Sequence, residues 1–372
     1  MDTYEKLAIF LDRLPGGFYR TESGVEMRIL KRIFSEKDAE LAMHLTLIAE
    51  DARVIARRAG ISVEEAERRL ESMARRGLIF SFVPSDGLPR YMATHFAVGF
   101  YEYQVGTMDE GLAHDADKYL VQIPPEEWEE APQIRTIPVG ESIPAQLEVI
   151  SYEQGEALLE RHSRFRVSPC ICRKKNQLLG KGCDKPLETC LTMGSAADYY
   201  ERNGIGRAIT KEEAQALLHE ANEAGLVLQP SNTQEAGFIC ACCGDCCGVL
   251  QLAKRHPQPA SVLISNFFAR VDTELCSACG DCEFRCQMEA IGVDNGYAEV
   301  DLVRCIGCGL CVSTCPEEAV TLVEKPRHER AAIPKDDEEL YIDMLRARGL
   351  VTTPGLVGMV VRSKGDRVLT KL

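Results

Sequence analysis

The residues whose spacing points most directly to chemistry are two runs of cysteine in the last third of the chain. Each run has the form Cys-x2-Cys-x2-Cys-x3-Cys, and Pro316 follows the second run. Three cysteines on one tight loop can each reach a different iron of a four-iron cluster, whereas the fourth cysteine begins a helix that points away. The spacing therefore predicts iron–sulfur ligation. The eight cysteines are Cys276, Cys279, Cys282 and Cys286 in the first run and Cys305, Cys308, Cys311 and Cys315 in the second.

Residues 270–325 resemble the bacterial-type ferredoxins that hold two [4Fe–4S] clusters. The tandem runs carry this resemblance, and it implies that each cluster takes three ligands from one run and the fourth from the other. One departure is Gln287, which follows Cys286 where the family usually has proline; no ligand is lost, so we expect it to be tolerated. The implied ligand sets are Cys276, Cys279, Cys282 and Cys315 for one cluster and Cys305, Cys308, Cys311 and Cys286 for the other.

Two alternatives stand beside electron transfer for these eight cysteines. Clusters can serve only to hold a fold together, because metal ligation always contributes folding energy. Zinc is the other alternative, although tandem three-spaced runs differ from the usual two-plus-two zinc pattern. A pair of neighbouring clusters is more than a structural role requires, so we favour electron transfer. Gly280, Gly307 and Gly309 fit loops whose amides point at sulfur and tune the clusters.

Nine further cysteines lie ahead of this module. Four would suit one extra cluster and eight would suit two, and neighbours such as Cys242 and Cys243 tend to point apart, so that each pair can serve two sites. We predict at least one further iron–sulfur cluster, with structural zinc and redox-active thiols or disulfides as alternatives. Arg173, Lys174 and Lys175 either stabilise these thiolates or form a solvated basic strip. The nine are Cys170, Cys172, Cys183, Cys190, Cys240, Cys242, Cys243, Cys246 and Cys247.

The multi-cysteine pattern ahead of a ferredoxin module also resembles other 4Fe-4S binding proteins, a resemblance that implies no reaction. The chain shows no P-loop and no dinucleotide-binding glycine motif after a strand. Its histidines are scattered, and no nucleophile has a recognisable base. We therefore predict no catalytic residue, and an electron carrier or oxidoreductase subunit is favoured over a stand-alone enzyme.

Composition sets the expected surroundings of these sites. The chain has 372 residues, 17 cysteines and a net charge of −14, which disfavours nucleic acid and anionic membranes and suits basic patches on redox partners. The residues Met1–Phe10 lack the apolar core of a signal peptide, and the longest apolar runs, such as Leu356–Val361, are too short to span a bilayer. We therefore expect a cytoplasmic protein with reduced thiols, in a host that is an anaerobe.

The front of the chain has no cysteine and reads as helices followed by a hairpin. Helical spacing covers 26–34, 36–47 and 51–59, and Ser62 with Glu65 forms a capping box before a helix over 63–76. Strands are predicted at 78–83 and 91–98. This order resembles the winged helix-turn-helix family.

Charge argues against DNA binding by this segment. Basic and acidic residues are equal in number across 26–102, and the helix that would enter the groove opens with Glu64, Glu65 and Glu67. A packing or partner-docking domain is the favoured interpretation, with DNA binding kept as an alternative.

The predicted architecture is a multidomain α+β protein with a winged-helix-like front, a cysteine-rich middle and a dicluster ferredoxin-like module. The predicted function is electron transfer between cytoplasmic redox proteins or within an oxidoreductase system. The alternatives are a redox-responsive DNA-binding regulator and a reductase subunit with its own substrate. The predicted segments are an N-terminal segment 1–25, a winged-helix-like domain 26–103, an acidic proline-rich linker 104–150 with short strands including 148–151, a cysteine-rich domain 151–262, the ferredoxin domain 263–326, and a C-terminal helix and tail 327–372.

Overall fold

A computed structural model of the chain describes residues 1–130, 132–143 and 151–370. The chain divides into two compact units, each mixing helices with antiparallel strands, as the α+β prediction requires. The first unit comprises Met1–Gln122, Asp198–Ile205 and Tyr341–Leu372, and the second comprises Ile123–Ala197 and Gly206–Leu340. In the described part of the chain, no helix is long and apolar enough to cross a membrane.

The front of the first unit consists of five helices, a hairpin and a sixth helix. The predicted cap is present at the fifth helix, where Ser62 Oγ accepts the Glu65 N–H at 3.2 Å. The order helix, turn, helix, hairpin agrees with the expected order, and membership of the winged-helix family stays a prediction. The elements are α1 (Thr3–Asp12), α2 (Val25–Ile33), α3 (Glu36–Ala42), α4 (Ala52–Ala59), α5 (Val63–Arg75), β1 (Phe80–Phe82), β2 (Arg90–Met92) and α6 (Glu110–Leu120).

The predicted linker differs from the structure. Helix α6 occupies its first part, because Asp109 caps the helix and the side chains of Leu112 and Tyr119 are buried on one face. Farther along, Ile134 and Ile137 form isolated bridges to Ser231 and Leu228. The strand predicted at 148–151 lies outside the described residues, except for Ser151, where a short 3-10 turn begins.

The remaining elements build the cysteine-rich and ferredoxin-like regions and close the chain. They are α7 (Pro125–Glu130), α8 (Gly155–Leu159), β3 (Phe165–Pro169), α9 (Ile171–Leu178), β4 (Glu188–Met193), α10 (Gly194–Arg202), β5 (Arg207–Ile209), α11 (Lys211–Glu223), β6 (Val227–Pro230), β7 (Phe238–Cys242), α12 (Gly248–Arg255), α13 (Pro259–Val262), β8 (Phe267–Val271), α14 (Asp281–Arg285), β9 (Ile291–Asp294), β10 (Tyr297–Val300), β11 (Val320–Glu324), α15 (Asp337–Ala347) and α16 (Thr353–Leu369).

A five-stranded antiparallel sheet organises the cysteine-rich region, with the order β5-β3-β4-β7-β6. Cys190 on β4 lies directly opposite Cys240 on β7. Residues two apart on a strand share a face, so Cys242 lies on the same face as Cys240. The pairing of two strands that are distant in sequence thus gathers three cysteines at one place.

The ferredoxin-like module is built from two similar halves. Strand β8 pairs with β11, and β9 with β10 forms a hairpin between the two cysteine loops. The Asp272 N–H donates to Ala319 O at 2.7 Å, and at the equivalent place in the other half the Asp301 N–H donates to Ala290 O at 2.8 Å. The internal repeat seen in the sequence is therefore also a repeat of backbone structure.

Candidate metal centres

The first cysteine run and one cysteine of the second run line a common cavity. Ala278 and Gly280 have positive φ angles of 55° and 86°, which turn the loop so that its cysteines face inward. Helix α14 carries Cys282, and the chain returns from the second run to bring in the fourth cysteine. The cysteines lining this cavity are Cys276, Cys279, Cys282 and Cys315.

The second run lines a matching cavity with one cysteine of the first. Here Gly307 and Gly309 have φ angles of 60° and 78°, at the positions equivalent to Ala278 and Gly280. The cysteines around this cavity are Cys286, Cys305, Cys308 and Cys311. The structure thus brings together the same two sets of four that the ferredoxin resemblance implies.

Backbone amides point at the sulfur atoms in both halves. The Ala298 N–H donates to Cys276 Sγ at 3.3 Å and the Ala269 N–H to Cys305 Sγ at 3.4 Å, while the Ala290 N–H donates to Cys286 Sγ at 3.2 Å. Such donors favour thiolates and the additional negative charge of a reduced cluster. Four soft sulfur ligands per cavity, with amide donors behind them, fit a [4Fe–4S] cluster in each.

The two cavities differ in their surroundings. Cys279 is exposed, whereas desolvation by burial raises the pKa of Cys308 to about 12. The carbonyl of Cys308 accepts the Val139 N–H at 3.0 Å. The second cavity is therefore packed against other residues of the second unit, whereas the first has an exposed thiol.

Six of the other nine cysteines lie next to one another, on strands of the sheet and at the N-termini of two helices. Their thiols are hydrogen-bonded in a row from Cys170 through Cys172 and Cys247 to Cys242, Cys240 and Cys190. We call these the six-cysteine group.

Two helices begin at the six-cysteine group. Cys170 is the N-cap residue of α9 and Cys247 that of α12. Hydrogen bonds from Cys172, Cys242 and the Leu250 N–H lower the pKa of Cys247 to about 5, and bonds from Cys190 and Cys242 hold the pKa of Cys240 well below its usual value. Helix N-termini and these donors favour thiolates at Cys240 and Cys247, whereas thiol–thiol hydrogen bonds and burial raise the pKa of Cys170, Cys172, Cys190 and Cys242.

The remaining three cysteines lie together at a separate place. Cys183 Sγ is 3.9 Å from Cys243 Sγ and 3.6 Å from Cys246 Sγ, and all three sulfur atoms lie within 4.8 Å of one another. We call these the three-cysteine group. As expected from the sequence, the neighbours Cys242 and Cys243 point into different groups, and Cys246 and Cys247 do the same.

Arg173 lies between the two groups and is buried, with 1% of its surface exposed. Its guanidinium donates to Cys243 Sγ at 3.7 Å, to Ala241 O at 3.1 Å and to Thr189 Oγ1. Lys175 is also buried, whereas Lys174 is partly exposed. Of the two sequence interpretations of this basic segment, thiolate stabilisation describes Arg173 and a solvated strip does not.

A contact that the sequence did not predict joins the ferredoxin-like module to the second cysteine region. The side-chain carbonyl Oε1 of Gln287 accepts the N–H of buried Gly244 at 2.7 Å. A Cβ on Gly244 would overlap the backbone carbonyl oxygen of Gln287, so glycine is needed for this close approach. The residue that replaces the usual proline therefore has a structural role that proline cannot supply, since its ring has no acceptor.

Residues 275–320 match the family described as the 4Fe-4S dicluster domain. No curated protein and no solved structure matched the chain. The match covers both cysteine loops and both cavities, and it lies entirely within the second unit. The chain thus contains a 4Fe-4S dicluster domain and carries, outside it, a second region rich in cysteine.

Proposed function

We propose that this protein transfers electrons between redox proteins, holding two [4Fe–4S] clusters in the ferredoxin-like module and a third iron–sulfur cluster in the six-cysteine group. The observation that supports this most directly is the pair of cavities, each lined by four cysteines from both runs. Clusters of this kind, when bound, accept and donate single electrons.

The protein residues hold and tune these clusters. Three cysteines of one loop and one from the other run bind each cluster, and the amides of Ala269, Ala290 and Ala298 stabilise negative charge on sulfur. The exposed Cys279 side gives a partner access to the first cavity, while the second cavity lies against the segment that contains Val139 and Ser142.

The six-cysteine group offers more thiols than one cluster requires. Four of the six would serve as ligands, and the rest would be neutral hydrogen-bond donors to them. The first residues of α9 and α12 direct amides at this group, which suits an anionic metal–thiolate centre. A structural zinc site has four ligands, whereas this group gathers six thiols, and we therefore favour a cluster over zinc here.

We propose that the first unit serves protein packing or docking rather than DNA binding. Arginines on and after α5, which a DNA-binding helix would offer to phosphate, form ion pairs within the unit. Arg69 pairs with Glu65 at 3.2 Å and Arg75 with Glu71 at 3.0 Å, and Arg76 pairs with Asp38 at 2.9 Å. A duplex would have to compete with these partners as well as with the acidic start of α5.

The test is a metal and sulfide analysis of protein purified without oxygen, with an EPR spectrum of the reduced form. About twelve irons and a similar amount of acid-labile sulfide per chain are expected for three clusters. About eight irons with the coupled signal of two nearby clusters would contradict the third cluster and leave the dicluster module.

Two matched variants assign the iron to its place. Cys276→Ser is expected to remove about four irons and abolish the coupled signal, because it removes a ligand of the first cavity. Cys190→Ser is expected to lower the iron content and leave the coupled signal intact. If Cys190→Ser retained all iron, the six-cysteine group would not hold a cluster.

A further inference from the structure

We propose that Cys183, Cys243 and Cys246 bind a single zinc ion, separate from any iron–sulfur cluster, and leave its fourth coordination position open to an external ligand. This site does not depend on the proposed electron-transfer function. It is supported by the spacing of three sulfur atoms, by the charge around them and by the absence of a fourth protein donor among the described residues.

The sulfur spacing fits one metal ion. A zinc ion held by thiolates at about 2.3 Å in tetrahedral geometry sets the sulfur atoms about 3.8 Å apart. The two measured separations from Cys183 Sγ are 3.6 and 3.9 Å. A four-iron cluster holds each thiolate on a different iron and so spreads its ligands farther apart. The three-cysteine group therefore fits one tetrahedral ion.

The surrounding charge suits a zinc ion bound by three thiolates. Three thiolates and one divalent ion leave a net charge of about −1, which is costly to bury without a partner. Cys243 is fully buried and Cys246 is 2% exposed, and the buried Arg173 guanidinium lies 3.7 Å from Cys243 Sγ. The side-chain amide of Asn176 also hydrogen-bonds Cys246. Arg173 thus neutralises the site, and the hydrogen bond from Asn176 orients the Cys246 thiolate.

The part of the chain that the structure describes supplies no protein ligand for the fourth position. Among the described residues, no further histidine, cysteine, aspartate or glutamate offers an atom within 4.8 Å of all three sulfur atoms. Cys183 is half-buried, whereas the other two cysteines are buried, so an external molecule reaches the ion from the Cys183 side. Three protein ligands with one exchangeable position is the arrangement of reactive rather than purely structural zinc. Because thiolate-rich sites prefer soft ligands, we infer an external thiolate as the ligand class.

The first test uses the wild-type protein, purified without oxygen and without added thiols. Metal analysis is expected to give about one zinc per chain, and zinc X-ray absorption is expected to give three sulfur neighbours at about 2.3 Å and one oxygen or nitrogen neighbour. Adding 2-mercaptoethanol is expected to convert this to four sulfur neighbours. Absence of zinc would overturn the site, and four sulfur neighbours before any thiol is added would overturn the open position.

Two variants separate this site from the clusters. Cys183→Ser, at a half-buried loop position, is expected to lose the zinc and keep all iron. Cys190→Ser, the matched control in the six-cysteine group, is expected to keep the zinc. Loss of about four irons and no zinc from Cys183→Ser would overturn the proposal. Zinc and iron are counted independently, so absence of the third cluster alone would leave this result unchanged.

Discussion

The two cysteine loops of the ferredoxin-like module have the same spacing and the same backbone but different neighbours. A side chain at Gly280 in the first loop would meet nothing within 4 Å, whereas one at the equivalent Gly309 would overlap Ser142, and one at Gly307 would overlap the Phe267 carbonyl. The first loop faces solvent and the second is enclosed by the rest of the second unit. The internal repeat therefore places cysteines at equivalent positions in both halves, while the packing around the two halves differs.

The largest expected difference between the loops comes from matched glycine substitutions. Gly309→Ala combines a positive φ of 78° with an overlap against Ser142, and we expect it to cost about 3 kcal/mol or more of folding free energy. Gly280→Ala has a similar φ but open space around it, and about 1 kcal/mol is expected. Denaturant unfolding of the iron-loaded proteins measures both. Equal costs would mean that the second loop is no more enclosed than the first.

The next effect concerns the contact between the second cysteine region and the residue after Cys286. Gln287→Ala leaves the buried Gly244 N–H without its acceptor, so we expect a loss of about 1–2 kcal/mol and a melting temperature lower by about 2–4 °C. Gln287→Glu keeps an oxygen acceptor and is expected to melt closer to the wild type. A Gln287→Ala protein as stable as the wild type would show that the contact contributes nothing to stability.

Oxygen should distinguish the two clusters by exposure. Cys279 is exposed, whereas Cys308 is half-buried, so after a short pulse of air we expect iron to be lost in two phases, the faster one from the first cavity. In the ferredoxin-like module, the faster phase should account for about half of the iron. The Cys279→Ser variant should lack the faster phase of iron loss. A single phase shared by both cavities would contradict the difference in access.

The smallest effect on stability is expected at the surface of the first loop. Phe284, on helix α14 between Cys282 and Cys286, is 93% exposed, and Phe284→Ala is expected to change the folding free energy by less than about 0.5 kcal/mol. It should nevertheless slow the reduction of a small basic cytochrome c about fivefold, because an exposed aromatic contributes to docking. The rate should also fall with added salt, given the net charge of −14.

The control for this prediction lies just before the second loop. Leu302 is 58% exposed, and Leu302→Ala is expected to leave both stability and the reduction rate unchanged. Equal slowing by both variants would mean that partners do not distinguish the two loops.

The sequence predicted the ferredoxin-like module well because cysteine spacing constrains a loop directly. Ligand sets drawn from both runs followed from the resemblance, and each of the two cavities is lined by such a set. The different directions of Cys242 and Cys243 could also be predicted, because neighbouring side chains of an extended segment tend to point apart. The cysteine loops are local features of the sequence, and the family resemblance implied how the two runs combine.

What the sequence could not predict depends on contacts between distant segments. The meeting of Cys183 with Cys243 follows from the positions of α9 and β7, and no local pattern specifies it. The sequence analysis did not predict helix α6, because the prolines of residues 104–150 favoured a linker. Asp109 nevertheless serves as the N-cap of this helix. The role of Gln287 was missed because its partner, Gly244, lies far away in sequence.

The first unit closes with residues from the far end of the chain. Arg58 pairs with Glu50 and, at 2.7 Å, with Asp366, while Ser363 Oγ donates to Glu50 at 2.7 Å. Arg348 likewise pairs with Asp12 at 3.1 Å. The contacts with Asp366, Ser363 and Arg348 therefore form only after those residues have been synthesised, although Arg58 and Glu50 can already pair within the first 122 residues. All cysteines of the sequence lie at or before Cys315 and have been synthesised by then. Metal loading of the second unit can therefore precede completion of the first unit.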